Sequence, residues 1–321
     1  MSIKNPYNSI IRIKPSVGIV SKNIKELEEE TLNNLRNSKA NNTHRAYKAD
    51  YKDFGLFCSK NNFQSMPTQP KIMALYLTHL SKTSKYSTLK RRLASISVLH
   101  KMKGHYIDTK HPIIMENLMG IKRANGSNQK GKKPLLISDL KALIEAIHQS
   151  IEKDSRKSRD KAIVLIGFSG GFRRSELVSI EYEDLEFVVE GVKIFVKRSK
   201  TDQSGEGMTK AIPYFENKDF CPVIALKNWI EISEIKKNKI FKISDKGVAL
   251  IIKKYANLAG LDAQRYAGHS LRSGFATSTA ESGAEERNIM AMTGHKSTEM
   301  VRRYIKEANL FKNNALNKIK I

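Results

Sequence analysis

Residues 163–177, IVLIGFSGGFRRSEL, run from an apolar segment (Ile163 to Phe168) through a glycine pair into two arginines and an acid. Arg173 and Glu176 stand three apart, the spacing that puts two side chains on one helix face. Alone, that spacing describes an ordinary ion pair on a helix surface. Three later clusters in the chain give it more meaning.

C-terminal to this stretch, Val192, Ile194 and Val196 alternate with other residues as a half-buried strand does. A glycine-bearing loop, Ser199 to Gly207, leads into a return strand starting at Ala211-Ile212, and Lys200 lies in the loop. Further on, His269-Ser270-Leu271-Arg272 places a histidine and an arginine on one helix face. Gly294-His295-Lys296-Ser297 comes next, with Tyr304 nine residues after His295. A single tyrosine in an amphipathic helix is ordinarily a packing residue, and a single loop lysine is ordinarily just solvated.

N-terminal to the opening stretch, Ser138-Asp139 opens a helix from Leu140 to Ile151. Residues 124–133, ANGSNQKGKK, have the composition of a linker. Before them the chain reads as a small all-helical domain. Thr43 caps a helix through Tyr47, Tyr51, Phe54 and Phe57, which Asn61-Asn62 ends. Pro67 to Pro70 introduces a second helix, Ile72 to Leu80, and a third carries Leu89, Leu93, Ile96 and Leu99. These readings divide the chain into an arm (1–23), a helical domain (24–123), a linker (124–133) and a second domain (134–321).

The 321 residues hold 57 Lys and Arg against 32 Asp and Glu, a formal charge of +25. Such a surplus calls for a polyanionic partner. No acid occurs between Asp53 and Asp108, whereas Lys82, Lys85, Lys90, Arg91 and Arg92 do. A solvated helix face normally mixes signs, so this stretch is expected to touch phosphates. Cys58 and Cys221, far apart and without metal-ligand spacing, read as reduced thiols in a cytosolic protein. No apolar run is long enough to span a membrane.

In this order, the four clusters resemble the tyrosine recombinase family, also called the phage integrase family. Its pattern is an Arg within G-x-R-x-S-E-L, a hairpin Lys, H-x-x-R, and G-H followed by Tyr about nine residues on. Arg173, Lys200, His269, Arg272, His295 and Tyr304 fill those positions, with Glu176 at the family's acidic one. Ser273 departs mildly, since many members have His there. The resemblance covers about residues 135–310. It implies a mainly α chain: a helical, SAM-like core-binding domain and a mostly helical catalytic domain with a small β-hairpin.

It also implies a DNA strand-transferring enzyme that cuts and rejoins duplex DNA through a 3′-phosphotyrosine bond. Tyrosine, with a pKa near 10 in water, is a poor nucleophile without help. Arg173 and Arg272 would hold the non-bridging oxygens of the reacting phosphate, and His295 would donate one more hydrogen bond. Lys200 suits the general acid for the leaving 5′ oxygen. His269 suits the proton acceptor or positioner of Tyr304, and Glu176 would orient His269 or Arg173. One phosphodiester is exchanged for another, so no ATP, metal or other cofactor is expected.

Expected partners are double-stranded DNA and further copies of the chain. Those copies would form a tetramer on synapsed DNA through the apolar face after Tyr304 (Leu310, Phe311, Ala315, Leu316 and Ile319). Without DNA, a monomer or weak oligomer is expected, in the cytoplasm and on the nucleoid of a bacterium or its mobile elements. Two rivals stand beside this reading: a type IB topoisomerase, which uses a similar residue set as a monomer, and a catalytically silent DNA-binding protein.

Overall fold

The computed structural model describes residues 22–38, 41–126, 131–197, 206–295 and 297–308, together with Asn317 and Ile319. The chain divides into two compact units, Met1–Gln129 and Lys130–Ile321. The loop carrying Lys200, most of the 1–23 arm, and Leu310, Phe311, Ala315 and Leu316 lie outside the described residues.

The first unit is helical: α1 (Lys22–Asn37), α2 (Asn41–Lys60), α3 (Pro70–Ser81), α4 (Tyr86–Met102) and α5 (Pro112–Asn125). The aromatic stripe of α2 does what its spacing demands. Phe54 is fully buried against Tyr76 of α3, ring centres 5.0 Å apart and edge-on, and Phe57 stands 5.3 Å from the same ring. Leu89, Leu93 and Ile96 of α4 close the core from the other side with Ile114 and Leu118 of α5. Proline at the first turn of α3 and of α5 suits a position whose N–H has no helical partner. Helix α2 begins two residues before Thr43, which sits inside the first turn instead of capping it. Helix α5 runs on to Asn125, into the segment expected to be linker.

The second unit is built around α7 (Asp154–Ser169), whose residues Ile163 to Ser169 are all buried. The helices α6 (Ile137–Gln149), α9 (Pro222–Ser233) and α11 (His269–Glu281) pack on it, and α10 (Asp245–Leu258) packs on α6. The helix expected to reach Ile151 stops at Gln149, and Ile151 is fully solvent-exposed. A three-stranded antiparallel sheet, β1 (Leu185–Val188), β2 (Gly191–Val196) and β3 (Met208–Pro213), forms where alternation pointed. The first of these strands was not foreseen. The β2–β3 register pairs Ile194 with Lys210. The short α8 (Arg174–Leu177), then α12 (Glu286–Thr293) and α13 (Thr298–Ala308), complete the described elements. Among the described residues, no helix is long and apolar enough to cross a membrane.

Candidate active site

The glycine pair turns the chain sharply off the buried end of α7. Gly171 has φ +54°, and a Cβ there would approach Phe275 to 3.0 Å and Thr293 to 3.2 Å. Glycine meets both the left-handed backbone and the crowding. The turn delivers Arg173 to the N-cap position of α8, with extended backbone (ψ 150°), so it precedes the helix and shares no helix face with Glu176. The pairing expected of them forms by another route. Glu176 accepts from the Arg173 backbone N–H at 2.9 Å and from its Nη1 at 2.5 Å. Of the two residues Glu176 was expected to orient, it holds Arg173.

Two cations grip the turn itself. Lys210 of β3 donates from Nζ to the Gly170 carbonyl at 2.7 Å, and Arg272 of α11 donates from Nη1 to the Gly171 carbonyl at 2.8 Å. Lys210 is wholly buried, 3.9 Å from Glu176 Oε2 and 4.3 Å above the Phe172 ring centre. A buried ammonium needs such partners, because leaving water without them is costly. Arg272 is only 1% exposed, and its Nη2 is buried with no hydrogen-bond partner among the described residues. An unpaired guanidinium nitrogen is expensive, and an incoming oxyanion would satisfy it.

Tyr304 arrives on α13, which packs on α11. Its ring is buried in a small apolar cluster with Ala276, Ala280, Ile289 and Val301. It is therefore a packing residue, but its hydroxyl also has a polar neighbour: His269 Nε2, at 3.4 Å. His295, whose ring centre is 6.2 Å from that of Tyr304, flanks it. Arg173, Glu176, Lys210, His269, Arg272, His295 and Tyr304 thus meet around one point.

The field there is strongly positive. Burial, then Arg272, Arg173, His269 and Lys210, push the His295 pKa down to about 4. His269 is a solvent-exposed residue overall, but packing around its ring and the charges of Arg272, Arg173 and Arg174 hold it below the ordinary histidine range. Burial draws Lys210 down to about 7 despite Glu176, with Arg272 and Arg173 adding to the fall. At neutral pH both histidines are therefore neutral. They can accept protons beside a hydroxyl, in a pocket that favours added negative charge.

Residues 135–310 match the phage integrase family. An integrase/recombinase xerD homolog of Selenomonas ruminantium is 39% identical over 97% of this chain and 96% of its own. The chain belongs to the phage integrase family. A tyrosine recombinase XerC of Staphylococcus aureus is 26% identical over 88% of this chain and 92% of its own. In fold, the chain resembles the XerH site-specific recombinase in its post-cleavage complex with difH (TM-score 0.58, 18% identity, 77% of this chain and 73% of that one). It also resembles a lambda integrase dimer bound to a COC′ core site (TM-score 0.55, 18% identity, 88% and 93%). This is a mainly helical tyrosine recombinase, a DNA strand-transferring enzyme of site-specific recombination working through a phosphotyrosine intermediate.

The recombinase's basic residues of the first unit behave differently from one another. Lys82, Lys85 and Lys90 are exposed, and Lys82 and Lys85 line a cleft of about 520 Å³ with Ser84, Tyr86 and Asn125 at the start of α4. Arg92 is turned inward, with its Nη1 held by Asp53 and by the Tyr76 hydroxyl and its Nε 3.7 Å from Asp50. It is an internal ion pair and not a phosphate contact. Arg91 pairs with Asp50 and stays half exposed. The acid-free stretch therefore draws part of its compensation from acids on α2, just outside it. Neither Lys210 nor Thr293, whose hydroxyl lies 2.7 Å from His295 Nδ1, was expected at the site from sequence.

Proposed function

We propose that Tyr304 is the nucleophile of this recombinase, attacking the scissile phosphate to form a 3′-phosphotyrosine and release a 5′ hydroxyl. The observation that carries the proposal is the 3.4 Å approach of the Tyr304 hydroxyl to His269 Nε2, beside Arg272, whose buried Nη2 has no partner among the described residues. Its distance is loose for a hydrogen bond, as expected before substrate aligns the groups. As the Tyr304 oxygen bonds to phosphorus, its proton passes to His269. Arg173 and Arg272 hold the non-bridging oxygens, and His295 adds a further polar contact. The bond from phosphorus to the 5′ oxygen breaks, and Lys200 protonates that oxygen. Rejoining runs the same steps backwards with a 5′ hydroxyl from another strand.

The DNA is held by both units, the first as core-binding domain (24–123) and the second as catalytic domain (134–321), joined by residues 124–133. In the first, Lys82, Lys85 and Lys90 around the start of α4 suit backbone phosphates, since a helix N-terminus adds its own positive end. Four copies assemble on synapsed duplexes through the segment after Tyr304, in the cytoplasm where the nucleoid lies. A lambda integrase tetramer bound to a Holliday junction, similar in fold (TM-score 0.55), supports this assembly.

A random duplex library nicked just 3′ of each candidate site traps the covalent complex, because the short 5′-hydroxyl fragment is lost. Wild type should give a slow band on a denaturing gel, enriched in one inverted repeat, and Tyr304→Phe none. A band without sequence enrichment would turn the reading toward a topoisomerase. DNA binding with no band from wild type would leave a silent binder.

A further inference from the structure

Helix α12 ends at Thr293, and Gly294 (φ +62°) reverses the chain so that His295 folds back over the helix end. The Gly294 N–H bonds to the Met290 carbonyl at 2.7 Å, the usual way an αL glycine closes a helix. This local turn brings the Thr293 Oγ1 within 2.7 Å of His295 Nδ1. Thr293 is itself fully buried, and its methyl is directed at the Gly171 turn, where a Cβ on Gly171 would meet it at 3.2 Å. Its hydroxyl is therefore held on the side of the helix carbonyls and of His295.

That hydroxyl has one proton to give. It lies 2.6 Å from the Ile289 carbonyl, which can only accept, so the proton goes there. The Thr293 oxygen is then left as an acceptor toward His295, and Nδ1 must carry a hydrogen to meet it.

We propose that Thr293 is a positioning residue that fixes the His295 proton on Nδ1, so that Nε2 alone gains or loses a proton during the reaction. The inference rests on the reading of His295 as part of the reacting site. Its consequence is a division of labour within one ring. In the neutral ring Nε2 is a bare acceptor. On protonation it becomes a donor to the reacting phosphate while the Nδ1–H to Thr293 bond is unchanged. Burial, then Arg272, Arg173, His269 and Lys210, press the ring toward its neutral form, and an acceptor held 2.7 Å from Nδ1 would steady the cation. Without it, the imidazolium would carry a buried donor with no partner.

The test is nitrogen NMR on the full chain labelled with ¹⁵N-histidine, with His295→Ala to assign the signal. Wild type should show His295 protonated at Nδ1 in its neutral form. Thr293→Val keeps the methyl that faces Gly171 and removes the hydroxyl. It should shift the proton toward Nε2, lower the pH at which His295 becomes charged, and slow cleavage of a nicked duplex. The slowing should be on the order of tenfold to a hundredfold, with DNA affinity unchanged, the low end of what positioned proton-transfer groups contribute. Thr293→Ser should restore both the tautomer and the rate. A wild-type His295 carrying its proton on Nε2 overturns the proposal whether or not the valine variant folds, and so does a valine variant with an unchanged tautomer. If His295→Ala cleaves at the wild-type rate, the catalytic reading of His295 falls while the tautomer result stands.

Discussion

Arg272 reaches across the second unit to the turn before Arg173, its Nη1 bonded to the Gly171 carbonyl at 2.8 Å and its Nη2 buried without a partner among the described residues. One guanidinium thereby ties the turn that presents the other and keeps a donor aimed at nothing the described residues supply. Arg272→Lys retains a charge but lacks the planar fork that serves both directions. It should lower the single-turnover cleavage rate by about 10²- to 10³-fold, the range seen when one oxyanion donor is removed. Filter binding should show DNA affinity little changed. A variant cleaving within a few-fold of wild type would mean the buried Nη2 is not used in the reaction.

Glu176 is buried between Arg173 and Lys210 and is the shared anion of both. Glu176→Ala leaves two cations without compensation in a dry site, so unfolding in urea should show a loss of about 3–5 kcal/mol. Glu176→Gln still accepts from the Arg173 N–H and should lose less. Equal losses for both variants would mean that shape, not charge, holds the turn.

Lys210, drawn down to about 7 by burial, gives stability a distinctive pH dependence. The unfolded chain binds this proton up to about pH 10.5 and the folded chain releases it near 7, so the unfolded state holds more protons between those values. Folding stability from this group therefore rises with pH from about 7 toward 10.5 and is lowest below 7. Lys210→Met removes the titrating group. The melting temperature of wild type minus that of the variant should climb over this window. A flat difference would contradict the buried-ammonium account.

If His269 takes the Tyr304 proton, cleavage needs it as a neutral ring, and it titrates below the ordinary histidine range. The acid limb of the cleavage rate should therefore lie below pH 6.5, the ordinary histidine value. Single-turnover rates at constant ionic strength check this. A limb centred at or above 6.5 would mean that burial and the arginines do not act on His269 as the geometry demands.

Much of this architecture is legible in the sequence, for identifiable reasons. The helix stripes of Phe54 and Phe57, and of Leu89, Leu93 and Ile96, encode burial by spacing alone. The alternation of Val192, Ile194 and Val196 does the same for β2. The set proposed as catalytic stands out in the sequence because phosphoryl transfer restricts the residue types and the family fixes their order. Contacts created by tertiary structure are harder. Arg173 was expected on a helix face, since spacing says nothing of the Gly171 turn that places it before α8. Lys210 did leave a signal: it shares the inward face of β3 with Ile212, two residues on, and a lysine in that register has to be paired inside. Thr293 left none, because its partner is brought round by a left-handed glycine. Arg92 misled because its acids, Asp50 and Asp53, lie about forty residues earlier.

Whether Tyr304 makes the covalent bond to DNA is read by mapping the bond itself. Wild-type protein trapped on a nicked duplex is digested with nuclease and protease, and the nucleotide-bearing peptide is sequenced by mass spectrometry. A 3′-phosphonucleotide is expected on Tyr304 within the peptide of α13, and no such mass in Tyr304→Phe. A nucleotide found on any other residue, or an adduct that survives Tyr304→Phe, would contradict that expectation.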